Sequence, residues 1–372
     1  MGPFRHNDIM TSGEIIEPIS IEGQSYTRQD LLELCRIMTG HTGVPDWKKE
    51  VYAFIRTFLD SSGEEIVQKT SGTTGDPKEV RLTREAMLLS ARKTLDFLNL
   101  QQGHSALLCL PVRYIAGKMM VVRALAGGLD LILQDPSGRP MEGITKDITF
   151  AAMVPLQIHE SLLHQDPLFM ISKLIIGGGA LHESMRKVLT RMELPETYLT
   201  FGMTETCTHF ALKRINGEVP DPQFISLEGV ELKLDHRGCL EVNVPGVTPE
   251  PVSTNDLVEI NESEGGFTWL GRYDNVINSG GIKIIPELLE QQARMCTGLE
   301  CLILPEADRK MGEKLVLVVE YSGQNPPVEK WLNCLRNSLS TYEIPRRVLS
   351  VKELPRNNSM KPDRTSAARL LL

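Results

Sequence analysis

The stretch QKTSGTTGDPKEV, residues Gln68 to Val80, gathers four hydroxyl side chains, two glycines and a lysine into one short turn. Glycines let backbone N–H groups approach a ligand closely, and hydroxyls with a cation suit phosphate oxygens. The same residue types also make ordinary mobile surface turns. The stretch is not a Walker loop, because Gly-x-x-x-x-Gly-Lys-Ser/Thr is absent and Pro77 precedes Lys78. Its meaning therefore depends on what the rest of the chain supplies.

Bulk properties restrict the answer. A chain of 372 residues exceeds what one hydrophobic core usually serves, so two or more domains are expected. At 41% hydrophobic and 24% charged residues, the chain has an ordinary globular composition. A net charge of −8 argues against a main role in gripping nucleic acid or an anionic membrane. No apolar run reaches bilayer length, and the start MGPFRHNDIM lacks the apolar core of a signal peptide. The seven cysteines form no Cys-x-x-Cys pair, and the Cys296–Cys301 spacing fits no common zinc pattern. The expectation is a reduced, cytoplasmic protein without a structural metal.

Along the chain, the first dozen residues read as a loose leader. A helix is expected after Thr27, with Asp30 three positions on, and another after Thr83 with apolar residues at Ala86, Leu89 and Phe97. Apolar strands are expected over 106–112, 129–134, 148–154, 173–178 and 197–202. The spacing between successive strands leaves room for crossover helices. That pattern indicates an α/β layered sheet, whose C-terminal strand ends are where ligands bind. From about Val230 the texture changes to an antiparallel hairpin and a further strand at GGFTWLGR, a smaller β unit. The boundaries drawn are 1–273 for a large N-terminal domain and 274–372 for a small α+β domain.

Three later stretches matter beside the opening turn. They are IIGGGAL with FGMTETC; STNDLVEI leading to GRYDNVINSGGIKIIPELLE; and LPRNNSMKPDR. In this order they resemble the acyl-adenylate-forming superfamily of acyl- and aryl-CoA ligases, luciferases and peptide-synthetase adenylation domains, from about Gln68 to the end of the chain. The resemblance implies ATP, Mg²⁺ and coenzyme A as reactants, with a small carboxylic acid as substrate. It implies that Thr70, Ser71, Gly72, Thr73, Thr74, Gly75 and Lys78 close over the β- and γ-phosphates. Gly178, Gly179 and Ala180 would form one wall of the adenine slot, and Phe201 the other, with Gly202 and Met203 beside it. Thr204 would hold the α-phosphate and Glu205 the Mg²⁺, an ion that prefers carboxylate and phosphate oxygens. Asp256 would take the ribose hydroxyls with Arg272. Lys361 would bridge acid and phosphate during adenylation. The small domain would then rotate about Asp274 and bring Gly280 and Gly281 beside the pantetheine arm.

Each of these residues alone reads more simply. Gly177 to Ala180 is a strand-to-helix turn, Phe201 a core residue, Asp256 a solvated loop carboxylate, Glu205 a helix-end charge and Asp274 a turn former. Only the ordered set points to function.

The segment at Leu110–Gly117 matches the family's Leu-Pro-x-x-His-x-x-Gly, with Tyr114 where His is common, and Met360 replaces the small residue before Lys361. This segment, with the short region before the phosphate turn, looks most like the o-succinylbenzoate–CoA ligases of menaquinone biosynthesis. That likeness assigns the acid pocket to Tyr114, Gly117 and Lys118. Arg113, Lys118 and Arg123 would gather near it to meet a second carboxylate, although each alone reads as a solvated helix-face charge. Open alternatives are another aryl or short acyl acid, a carrier-protein thiol as acceptor, or a non-catalytic nucleotide-binding module. Oligomeric state is left open.

Overall fold

The computed structural model describes residues 15–60, 65–69, 79–179, 181–263, 265–356 and 362–371. The leader, the turn Thr70–Lys78, Ala180, Met360 and Lys361 lie outside the described residues.

All five expected strands form, at Ser105–Leu108, Asp130–Leu133, Ile148–Met153, Ile171–Ile176 and Glu196–Gly202. They pair in parallel, with Ile19–Ile21 joining Asp130–Leu133 on the outer side and Gln24–Tyr26 closing that edge. Strand Glu196–Gly202 is where direction changes. It runs parallel to Ile171–Ile176 but antiparallel to His209–Arg214. Beyond it come Phe224–Ser226, Gly266–Arg272, Val252–Asn261, Cys239–Asn243 and Glu231–Leu234, all antiparallel. The smaller β unit expected from sequence is therefore hydrogen-bonded edge to edge onto the α/β sheet, giving 13 strands in one sheet.

The helices obey local chemistry. Thr27 and Thr83 cap Arg28–Gly40 and Arg84–Phe97, each accepting from the backbone N–H three residues on. Helix Arg84–Phe97 buries Ala86, as expected, together with Met87, Leu88, Ala91, Thr94 and Leu95, while Leu89 and Phe97 are half-buried. Helix Ile115–Gly127 is apolar nearly all round and buried from Met119 onward, packed between helix Arg84–Phe97 and the sheet.

Four phenylalanines fasten the two halves of the large sheet. Phe201, on the strand where direction changes, meets Phe210, Phe224 and Phe267 edge-on, with centroids 5.1–5.7 Å apart. The C-terminal region folds around a separate five-stranded sheet. In strand Gly312–Glu320, Leu315, Leu317 and Val319 face helices Pro286–Thr297 and Val328–Ser338. Val316 and Val318 face the opposite core with Leu354 and Ala367.

One expectation is overturned here. Cys296 and Cys334 form a disulfide joining those two helices, so the cysteines are not all reduced. Their pairing spans 38 residues and left no mark in local spacing. The remaining five are buried and free.

Phe267 is fully buried at the centre of the aromatic cluster. Phe267→Ala is expected to cost about 3–5 kcal/mol, read as a lower urea midpoint with an unchanged denaturant slope.

Candidate functional site

The site is built where parallel strands end. After Ile171–Ile176 the chain turns through Gly177, whose N–H is held by the Met153 carbonyl at 3.1 Å. A side chain at Gly177 would sit 2.5 Å from Thr200 Oγ1 on the neighbouring strand, so only glycine allows that approach. Gly178 adopts φ +76°, a left-handed turn that glycine enters without strain. Phe201 is half-buried and engaged by three other rings, which makes it a member of the aromatic core.

Strand Glu196–Gly202 then breaks into the tight turn Thr204–Thr206 before returning as His209–Arg214. Thr206 Oγ1 donates to the Met203 or Thr208 carbonyl and accepts from the Met203 N–H, pinning both ends of the turn. Cys207 is held at φ +61°, a conformation costly for a non-glycine residue, with its N–H on the Thr204 carbonyl at 3.0 Å. This construction presents Met203, Thr204 and Glu205 half-exposed, with Gly202 at the surface. Strand Glu79–Leu82, which leaves the threonine-rich turn, packs against Thr204–Thr206. The stem of that turn and Glu205 thus share one place.

A carboxylate here suits a hard divalent cation. Among the described residues no three His, Cys, Asp or Glu side chains gather as a protein-made metal cage. One projecting glutamate fits Mg²⁺, which takes one or two carboxylates and draws its other ligands from phosphate and water.

Lys118 projects from helix Ile115–Gly127 toward the other strand of the same stem. Its Nζ donates to Gln68 Oε1 at 2.7 Å, while Gln68 Nε2 donates to the Arg113 carbonyl at 3.2 Å. Burial lowers the Lys118 pKa. The three cations expected to cluster separate by depth instead. Arg113 is exposed and lies 5.2 Å from the Tyr114 ring centre, Lys118 is half-buried, and Arg123 is only 1% exposed. Arg123 Nη2 donates to Thr208 Oγ1 at 3.3 Å, and its buried Nε finds no acceptor among the described residues. Burial lowers its pKa to about 9, which keeps it charged at neutral pH. Gly117 proves to be a packing residue: a Cβ there would collide with the Pro111 carbonyl. Tyr114 stands at the N-cap position of the helix without a capping bond from its side chain, and its ring is exposed.

Asp256 and Arg272 face each other in register across Val252–Asn261 and Gly266–Arg272. Asp256 is therefore a strand residue, not a loop carboxylate. Trp269 Nε1 donates to its Oδ1 at 2.9 Å, and Arg272 lies 3.8 Å from its Oδ2. Arg272 also donates to Asp274 at 3.1 Å, and Asn255 reaches the same carboxylate. Asp274 sits in the short turn Tyr273–Asn275 between the two sheets, a position suited to a hinge. Gly280 and Gly281, at φ +62° and +83°, form the two-residue turn of the hairpin Ile277–Ser279 to Ile282–Ile284. The turn itself accounts for both glycines.

Residues 66–247 match the family described as AMP-binding enzyme. A crystal structure of an acyl-CoA synthetase (AMP-forming)/AMP-acid ligase II-like protein from Dyadobacter fermentans is 33% identical. The match covers 91% of this chain and 98% of that one, with a TM-score of 0.61. The chain belongs to the AMP-binding enzyme family. This AMP-binding enzyme is also 25% identical over 311 residues to the 2-succinylbenzoate–CoA ligase of Escherichia coli, covering 79% of the chain and 66% of that relative. It thus spans about two thirds of that relative's length. The o-succinylbenzoate CoA synthetase of Bacillus subtilis, solved with its acyl-adenylate intermediate, shares the fold at TM-score 0.70 and 19% identity, covering 94% and 95% of the two chains. No described helix is long and apolar enough to cross a membrane.

Sequence reasoning missed the buried pair beneath the turn. His209 is buried, within 3.0 Å of Thr94 Oγ1, and its pKa is held well below 6.5 by burial and by Arg123. The folded protein keeps it neutral while the unfolded chain protonates it. Stability is therefore full above 6.5 and falls as pH drops below it. His209→Gln is expected to flatten that fall, read from urea midpoints between about pH 5 and 7.

Gly117→Ala tests the packing of the helix start. The expected loss is about 1–3 kcal/mol, read as a lower urea midpoint.

Proposed function

We propose that this AMP-binding enzyme is an acid–CoA ligase acting through an acyl-adenylate, with 2-succinylbenzoate as the acid. The packing of the threonine-rich turn's stem against Thr204–Thr206 carries the proposal, because it joins a phosphate-gripping segment to a carboxylate suited to Mg²⁺. The in-register Asp256–Arg272 pair supports a ribose site next to the turn between the sheets.

A carboxylate is a poor electrophile, being anionic and lacking a good leaving group. In the first step its oxygen attacks the α-phosphorus of ATP; the bond to the bridging oxygen breaks, and pyrophosphate leaves. Such transfer is mostly positioning and charge neutralisation. Bound Mg²⁺ supplies charge neutralisation on the phosphates, and Glu205 would hold it. Thr204 would donate to the α-phosphate, and Lys361 would bridge phosphate and acid. Asp256 would fix the ribose, and the Gly178–Ala180 segment and Phe201 would flank the adenine. In the second step the CoA sulfur attacks the acyl carbon. A C–S bond forms, the C–O bond to AMP breaks, and the thiol proton passes to solvent. Rotation at Asp274 would exchange Lys361 for the Gly280–Gly281 turn.

Arg123 supports the choice of acid. A buried guanidinium that has no carboxylate partner among the described residues, and an unpaired Nε N–H, suits an anionic or keto group on the substrate. CoA-dependent AMP release with 2-succinylbenzoate is the expected outcome; its absence, with release from another acid, removes that substrate assignment. Arg123→Met should lower kcat/KM for this dicarboxylate by about tenfold to a hundredfold, with a smaller effect on monocarboxylic acids. Lys361→Ala should cut pyrophosphate release by about a hundred- to a thousandfold while ATP still binds by calorimetry.

A further inference from the structure

The chain on either side of Lys361 is held by two buried or half-buried guanidinium–carboxylate clamps. On the incoming side, Glu320 Oε2 accepts from Arg356 Nη2 and from the Leu354 N–H, both at 3.0 Å. On the outgoing side, Arg364 Nη2 donates to Glu290 Oε1 at 2.6 Å, and Nη1 donates to the Ile303 carbonyl at 3.0 Å. Between the clamps the two stems pair at Arg356 and Pro362, and the Asp363 N–H bonds the Pro355 carbonyl at 2.7 Å.

The outgoing clamp reaches further. Arg364 Nη2 also lies 3.6 Å from Glu287 Oε1, and the same oxygen accepts from Asn275 Nδ2 at 2.5 Å. Asn275 is the neighbour of Asp274 in the turn between the two sheets. Glu287 also presses on Gly271 of the large sheet, where any added Cβ would meet its carboxylate. A continuous polar chain therefore runs from the inter-sheet turn through Asn275, Glu287 and Arg364 to the segment that carries Lys361.

We infer that Arg364, anchored by Glu290 and Glu287, is a positioning residue that fixes the stem at Pro362 and Asp363, which follows Lys361 in the chain, relative to the turn at Asp274. This rests on the adenylation role given to Lys361 above. One fork serves two carboxylates and a carbonyl at once, and a lysine ammonium offers no such planar set of donors. Glu290 is almost wholly enclosed, and burial pushes its pKa to about 7 even beside Arg364, so the anchor has little solvent to replace a lost partner.

The test separates the half-reactions in the full-length chain with Arg364→Ala, Arg364→Lys and Glu290→Gln. Misplacement by about an ångström costs on the order of a hundredfold in rate, so Arg364→Ala and Glu290→Gln should lower kcat for pyrophosphate release by that order, with KM for ATP unchanged. CoA thioester formation from supplied acyl-adenylate should stay at the wild-type rate, and Arg364→Lys should fall between. Equal losses in both half-reactions, or none, overturn the inference. Hydrogen exchange of peptides covering residues 352–363 gives a readout independent of activity. Faster exchange in Arg364→Ala and Glu290→Gln supports the clamp, and unchanged exchange overturns it. Should the wild type form no adenylate from any acid, the functional reading fails by itself, and the exchange result still decides the clamp.

Discussion

The fold turns on strand Glu196–Gly202, which pairs parallel on one side and antiparallel on the other. A parallel neighbour requires a crossover helix, whereas an antiparallel neighbour needs only a short turn. The chain takes both options on one strand, so the turn after Gly202 emerges at the C-terminal ends of the parallel strands. Ligands bind at such ends in open α/β sheets. The placement of Thr204 and Glu205 follows from this change of direction. It also explains the strain at Cys207, because reversing the chain in so few residues demands a backbone conformation that a longer loop would avoid.

Much of this was legible in the sequence, for physical reasons that differ by element. The run ending at Gly178 announces a buried parallel strand, because both faces are covered. The alternating hairpin after Val230 and the caps at Thr27 and Thr83 are local signals, and all appear in the structure. Asp256 was harder to read. Its strand, Val252–Asn261, is polar at many positions, because pairing is supplied by neighbours rather than by its own apolar pattern. Depth was harder still. Arg113, Lys118 and Arg123 are similar letters within one segment, yet only the packing of helix Ile115–Gly127 against another helix and the sheet puts Arg123 in the core. The Cys296–Cys334 bond joins two helices separated by strands, a relation carried by tertiary structure alone.

The glycines sort into two kinds by the same reasoning. Gly178, Gly280 and Gly281 take positive φ, so the backbone path demands them. Gly117, Gly177 and Gly202 have no such requirement and are selected by collision with a neighbour. A motif read from sequence cannot separate these causes, and both can coincide with a ligand's need for close backbone approach. Function therefore draws on constraints that folding already imposes, and the site needs few residues whose only purpose is chemical.

The polar chain from Asn275 to Arg364 joins the turn between the sheets to the outgoing stem by directional contacts. An apolar interface between that turn and the outgoing stem would be tight but indifferent to rotation, because dispersion and burial have little directional preference. Hydrogen bonds to a planar guanidinium fall off steeply with angle. An anchor of Glu287, Glu290 and the Ile303 carbonyl therefore holds the outgoing stem in one orientation within its own sheet, while Asn275 ties that anchor to the turn beside Asp274. Directional bonds of this kind fix orientation as well as distance, which burial alone does not.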